Sequence, residues 1–331
     1  MDLKNHNKLI QLDNLLKLSD SSAEEKYGYY PFNRPINILF DYGLVLIDKP
    51  AGPTSHEIAS WVKRILNIDK SGHSGTLDPG ATGLLPMGLG EATKALSVLL
   101  LGPKEYFSLA RIHSNYTRKS VEKVLLDFHG DIYQRPPQRS SVKRMTRIRR
   151  IYEIEYVEDR ENLILLRILC QAGTYIRKLI YDIGELLGPG ATMVELRRTR
   201  VSNFFEIDGL VKLHDLYNAF YLYKEKNDEE KIRSLIKPIE ICFNNIPSVM
   251  IKDTAVDALC HGAPLAIPGV IQLSPKIQKG DLVGIYTLKG EIIGLAQSLM
   301  NVEDIISQKS GISFIMKRLI MKPNTYPKGW K

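Results

Sequence analysis

Residues 73–86 read HSGTLDPGATGLLP and place one acid, Asp78, among glycines, a threonine and a proline, with apolar residues close on both sides. Pro79 biases Asp78 away from the helical region, so its carboxylate projects from a turn or an extended segment. Gly72, Gly75, Gly80 and Gly83 let backbone, or a ligand, approach closely. An ionised aspartate held this way can act as a nucleophile or a base. Read alone, the stretch also fits a loop aspartate that bonds its own backbone. The second chemical signal is positive charge. Between Arg135 and Arg150 lie seven basic residues (Arg135, Arg139, Lys143, Arg144, Arg147, Arg149, Arg150) and no acid, a footprint suited to phosphates. Arg197, Arg198 and Arg200 form a second basic cluster. From Ile305 onward there are six more basic residues and again no acid.

Other chemistries are poorly supported. Cys170, Cys242 and Cys260 are far apart with no CxxC spacing, so neither a disulfide framework nor a zinc site is indicated. GLGEAT at 88–93 hints at a dinucleotide loop, but Thr93 stands where the third glycine belongs and no strand–helix–strand unit follows. The net charge of +8 favours anionic partners, nucleic acid first. The first residues lack the basic start and apolar stretch of a signal peptide. The apolar run LSVLLL is too short to span a bilayer. The expectation is a soluble intracellular protein.

Several elements must position Asp78. ILFDYGLVLIDKP contains a strand run stopped at Lys49-Pro50. SHEIASWVKRIL predicts a helix capped by Ser55 or Thr54, with Ile58, Trp61, Val62 and Ile65 on one face. GLLPMGLG reads as a strand and EATKALSVLL as a following helix. EYFSLARIH, IYEIEYV and LILLRILC read as strands, and TYIRKLIYDIGELLG as an amphipathic helix closed by Gly188. Strands outnumber helices without regular alternation, which predicts an α+β fold on a central, mainly antiparallel sheet. The charged stretch 223–238 is a linker or an exposed helix face. Beyond about 247, short apolar runs broken by glycine and proline predict a small β-barrel, with Lys289-Gly290 as a hairpin signal.

Asp78 does not stand alone. HSGTLDPG resembles the catalytic motif of the TruB-type pseudouridine synthases, and four other segments resemble that family in order. These are LIDKPAGPTSHEIASWVKRIL (46–66), KEYFSLARIH (104–113), GDIYQRPPQRSSVKR (130–144) and CQAGTYIRKLIYDIGELLGPGATMVELRRTR (170–200). GTLDP, Arg139 and ELRRTR are similar to the dyskerin branch, the catalytic subunit of H/ACA guide-RNA particles, in its archaeal form. Residues 248–325 resemble a PUA domain. The sequence departs from the pattern at Ala51, Ser141 and Thr192, none of which removes a catalytic group.

The resemblance implies an RNA uridine isomerase with Asp78 as nucleophile or base and Arg177 as the cation beside it. Tyr106 would stack on a uridine flipped out of its helix. Unstacking costs a few kcal/mol and aromatic stacking returns about 1–3 kcal/mol per base. His73 and Leu196 would line the base pocket, and Lys49 and Pro50 would brace the catalytic loop. The basic residues named above would hold RNA. Apolar neighbours would keep water from Asp78. The implied organisation is an extension (1–34) packed on the PUA domain, a catalytic domain (35–246), a PUA domain (247–325) and a tail (326–331). No metal and no organic cofactor are implied. The implied partners are H/ACA guide RNA, substrate RNA, and three small proteins: zinc-ribbon-like, glycine–arginine-type and kink-turn-binding. The implied location is the cytoplasm of an archaeal-type cell. Two rivals share these residues: a stand-alone enzyme for the tRNA T-loop, and an RNA-binding scaffold without activity.

Overall fold

The computed structural model describes residues 12, 14–135 and 145–328. Among them, β1 (Leu16–Lys17) is followed by the strands of a central sheet: β2 (Gly43–Lys49), β3 (Ser71–His73), β4 (Thr82–Leu89), β5 (Lys104–Ile112), β6 (Gly130–Gln134), β7 (Arg147–Arg160), β8 (Leu163–Cys170), β9 (Ala191–Val201), β10 (Phe204–Phe205) and β11 (Lys237–Pro238). Their order is β11-β2-β4-β9-β5-β8-β7-β6, with β3 added on β4 and β10 on β9. Among the described strands of this sheet, each pairs antiparallel with its neighbours except β4 with β9. The fold is therefore α+β on a mainly antiparallel sheet.

β4 is the sheet's buried spine, and its near-continuous apolar run TGLLPMGL suits a strand covered on both faces. β9 pairs with it only at Thr82 and Gly83, and β3 takes over at Met87. Pro86, which has no N–H to give, falls in the gap between those two pairings. At Gly83, φ is +97° and an added Cβ would lie 2.3 Å from the Arg198 carbonyl, so only glycine lets the two strands meet there.

The Ser55–Leu66 helix starts at a capping box. Thr54 Oγ1 accepts from Glu57 N at 3.1 Å, while Glu57 Oε2 accepts from Thr54 N at 2.7 Å. Ile58, Val62 and Leu66 bury against the sheet, whereas Trp61 and Ile65 are only half-buried. They rim a groove of about 800 Å³ shared with the Leu213–Lys226 helix. The Ile176–Leu187 helix buries Ile176, Leu179, Ile180 and Ile183 and ends at Gly188, where φ is +101°. The charged stretch 223–238 holds the end of the Leu213–Lys226 helix and a second, Glu230–Leu235. The expected helix over EATKALSVLL is corrected. A 3₁₀ turn covers Gly90–Lys94 and a single α turn covers Ser97–Leu100. Ala92, Ala95, Leu96 and Leu99 keep the spacing of one apolar helix face and pack into one cluster, although the backbone between the two turns is not continuous helix.

A second sheet follows: β12 (Ser248–Ile251), β13 (Leu265–Ala266), β14 (Val270–Leu273), β15 (Leu282–Tyr286), β16 (Ile292–Ser298) and β17 (Ile312–Leu319), in the order β1-β14-β12-β15-β16-β17-β13. β15 and β16 form a hairpin around Lys289-Gly290. The early strand β1 closes one edge against β14. Tyr326 is buried in this sheet's core. Tyr286, Ile292, Leu295 and Ile320 pack into one apolar cluster with Leu44, Leu46 and Leu84, which joins the two sheets.

Candidate active site

The loop from Ser74 to Ala81 connects β3 to β4 and carries Asp78. It is anchored from below. Leu77 and Ala81 are buried, and Leu77 N donates to Ser55 Oγ at 2.9 Å. Ala81 N donates to the Asp78 carbonyl at 3.0 Å, closing a turn. Lys49 is fully buried and its ammonium donates to the carbonyls of Pro50, Pro79 and Ala81 at 2.8–2.9 Å. These contacts fix the backbone on both sides of Asp78, and burial disfavours the charged form of Lys49.

The carboxylate itself points outward. Arg177, in the first turn of the Ile176–Leu187 helix, donates from Nη2 to Asp78 Oδ2 at 2.6 Å. The Asp78 side chain is 49% exposed and that of Arg177 62%. The expected shielding of Asp78 by its apolar neighbours is thus corrected. Leu77 and Ala81 turn into the core because a strand mouth buries them, which leaves the acid facing solvent. Water must be displaced by whatever covers the site.

Tyr106 lies on β5, half-buried, and stands opposite Arg198 in the pairing of β5 with β9. Leu196, on β9 opposite Ser108, is buried with Leu77, Ala81 and Tyr106 in one apolar cluster. His73 ends β3. Burial chiefly, with the charges of His56 and Arg198, pushes its imidazole down to about 4, so it is neutral at pH 7. Its Nδ1 is buried with no hydrogen-bond partner among the described residues, and its ring meets His56 edge-on at 5.1 Å.

The basic residues divide. Arg135 is exposed at the end of β6, and Arg147, Arg149 and Arg150 lie on β7 opposite Gln134, Ile132 and Asp131. Arg139, Lys143 and Arg144 lie outside the described residues. Gln134 ties this hairpin to the helix of Arg177, since its side chain donates to the Tyr175 carbonyl and accepts from Tyr175 N. The second cluster is corrected. Arg198 is 1% exposed and points into the sheet. Arg197 is engaged by Asp48 and Glu206, and Arg200 bonds the Ser202 carbonyl and covers the Phe205 ring. Side chains alternate along a strand, so a run of arginines on β9 cannot present all its charges to one surface.

Two residues that sequence reasoning passed over belong to this neighbourhood. Ser55 was one of two hydroxyls available to cap a helix; Thr54 does so, which frees Ser55 to anchor Leu77. Lys104 is buried and donates to the carbonyls of Leu99, Leu100 and Gly102, with burial pushing its ammonium down to about 8. Its position directly after Gly102-Pro103 was the available signal.

Comparison with known proteins agrees across the chain. Residues 63–118 match the model of the TruB family pseudouridylate synthase N-terminal domain, and 177–244 that of the tRNA pseudouridylate synthase B C-terminal domain. Residues 247–320 match the PUA domain and 2–59 the DKCLD (NUC011) domain. A probable tRNA pseudouridine synthase B of Archaeoglobus fulgidus is 47% identical over 97% of this chain and 99% of its own length. One of Methanocaldococcus jannaschii is 44% identical over 98% and 96%. Among solved structures, an H/ACA RNP bound to a substrate RNA containing 2'-deoxyuridine superposes with a TM-score of 0.88 at 40% identity, covering 96% of this chain and 97% of the other. A Cbf5-Nop10-Gar1 complex gives 0.87 at 43% identity, covering 95% of each.

Proposed function

Because the chain belongs to the TruB family of pseudouridine synthases, we propose that Asp78, Arg177 and Tyr106 carry its reaction and that an H/ACA guide RNA selects its targets. The isomerisation breaks the N1–C1′ bond of uridine, turns the freed uracil and forms the C5–C1′ bond. C5 gives up a proton and N1 gains one, so no redox partner or metal is required by the balance. Asp78 supplies the negative charge at the sugar–base junction. Arg177 orients the carboxylate and pairs with its charge once RNA has displaced water from the site. Tyr106 meets the face of the extruded base, while Leu196 and Leu77 offer apolar wall. Neutral His73 can pack beside the base without repelling Arg198. The exposed arginines of the β6–β7 hairpin hold phosphates near the cleft, through the Gln134 link. The 2.6 Å contact between Asp78 and Arg177, joining residues 99 apart in sequence, carries the catalytic part of this reading.

The guided mode is supported by likeness over the whole chain to particles whose names include Nop10, Gar1 and substrate RNA. We extend to this chain those partners, a kink-turn-binding protein, and a division into extension (1–34), catalytic domain (35–246), PUA domain (247–325) and tail. No described helix is long and apolar enough to cross a membrane; a cytoplasmic location in an archaeal-type cell is part of the proposal. A second reading, modification of free tRNA, is favoured by the names of the curated relatives; its candidate target is a T-loop uridine. One comparison separates them. Pseudouridine formation is measured on a guide-matched RNA, with and without guide RNA and partner proteins, and on free tRNA. The guided reading expects the guided rate to exceed the unguided by about 10²-fold or more, the scale that positioning supplies. Equal rates on free tRNA without any guide would replace it with the second reading.

A further inference from the structure

Gln134 is buried where its chain neighbours are not. It ends β6 at 2% exposed, while Tyr133 before it and Arg135 after it face solvent. A buried carboxamide is costly unless it is hydrogen-bonded. Gln134 meets that need on a single residue. Its Nε2 donates to the Tyr175 carbonyl at 3.1 Å, and its Oε1 accepts from Tyr175 N at 2.9 Å. A carboxamide presents donor and acceptor side by side, the pair that a neighbouring strand would offer. Tyr175 is the N-cap of the Ile176–Leu187 helix, and its own side chain makes no cap. The Thr174 hydroxyl is turned back to the Gln171 carbonyl at 2.7 Å. The Tyr175 carbonyl also accepts from Leu179 N at 3.0 Å, the first bond of the helix. A helix start is ordinarily fixed by a capping side chain at its own end. Here a side chain from the β6–β7 hairpin holds it. The same hairpin grips the rest of the connector from β8. Gln171 N donates to the Arg150 carbonyl at 2.8 Å, and Gln171 Oε1 accepts from Arg150 N at 3.1 Å. At Gly173, φ is +80° and an added Cβ would lie 3.2 Å from the Arg149 guanidinium. Arg177 stands two residues after Tyr175 with its side chain mostly exposed, so its reach to Asp78 depends on where the helix begins.

We propose that Gln134 is a positioning residue for the isomerisation: from the hairpin whose arginines hold RNA, it sets the start of the helix so that Arg177 meets Asp78. This rests on the roles of Asp78 and Arg177 proposed above. The chain of contacts is short. Gln134 holds Tyr175, Tyr175 opens the helix, and Arg177 in its first turn donates to Asp78 at 2.6 Å. A displacement of about 1 Å at a catalytic group can cost about 10²-fold in rate, so a loosened helix start is felt at the reacting atoms.

The test is a double-mutant cycle in the complete guided particle, read as single-turnover rate and RNA affinity for wild type, Gln134→Glu, Arg177→Met and the pair. Gln134→Glu keeps the shape and one acceptor but sets a second acceptor against the Tyr175 carbonyl. It should slow the reaction by about 10- to 100-fold, the scale of a misplaced catalytic group, with RNA affinity within about twofold. In the Arg177→Met background the same change should cost less than about threefold, because the guanidinium it places is gone. A purely structural role would cost the same in both backgrounds. An undiminished cost in the second, or no slowing by Gln134→Glu, overturns the proposal. Gln134→Met is the second variant, similar in length but unable to bond Tyr175. It should be slowed on the same scale, and a wild-type rate from it overturns the proposal. Failure of both variants to assemble would make Gln134 a residue of folding alone and overturns it equally. If Arg177→Met alone leaves the rate unchanged, it is the role of Arg177 that fails.

Discussion

Asp78→Asn is expected to lower pseudouridine formation by at least about 10³-fold while leaving RNA affinity within about twofold, the pattern of a lost reacting group rather than lost binding. The amide has nearly the same shape. Its oxygen can still accept from Arg177, so the 2.6 Å contact has a substitute and only the negative charge is removed. Stability should hardly change. The ion pair is exposed to water on both sides, and such pairs contribute about 0–1 kcal/mol. The loop is held by Lys49, Ser55, Leu77 and Ala81, none of which the substitution touches. Release of tritium from RNA labelled at C5 of the target uridine reads the reaction directly, since that position must lose its hydrogen. A variant retaining more than about a tenth of the wild-type rate would rule out Asp78 as the reacting carboxylate.

Glu240→Ala is expected to destabilise the chain by about 3–5 kcal/mol, the cost of orphaning a buried charge. Arg34 and Glu240 are 2% and 0% exposed and meet in a two-pronged contact at 2.9 and 2.6 Å. Glu240 also accepts from Ile292 N at 3.0 Å, at the start of β16. Glu291 lies 3.7 Å from Arg34 and accepts from the Tyr326 hydroxyl at 2.7 Å. The network therefore binds the segment before β2, the turn after β11, the second sheet and the last described residues into one unit. Against a total stability of about 5–15 kcal/mol, its loss is large. Denaturant unfolding monitors it. Replacing both partners, as Arg34→Met with Glu240→Leu, should cost less than Glu240→Ala alone, because the buried guanidinium leaves with its main counter-ion and Glu291 keeps the Tyr326 hydroxyl as a donor. A loss below about 1 kcal/mol for Glu240→Ala would show that water reaches Arg34.

The architecture was legible where the signal is local. Alternation in EYFSLARIH and LILLRILC marked strands that pair as β5 and β8, and Thr54-Ser55 marked a helix start. Pairings between distant segments left no local trace, and the parallel contact of β4 with β9 is one of them. The approach of Arg177 to Asp78 is another: it was readable only through the order of motifs. Charge was the misleading signal. A sequence shows that Arg197, Arg198 and Arg200 are basic, but their destinations follow from the two faces of β9 and the gap beside β4. The Arg34–Glu240 network was invisible for a related reason. Its members are ordinary surface residue types whose burial depends on how the two sheets meet.

The central claim is that a guide RNA chooses the uridine and Asp78 converts it. Its most direct test assembles the particle on one RNA carrying two candidate uridines, with two guides that pair around one or the other, and maps pseudouridine position by position. The account expects the modified position to move when the guide is exchanged, and both signals to vanish with Asp78→Asn. Modification of the same uridine under either guide, or of both without one, would contradict it.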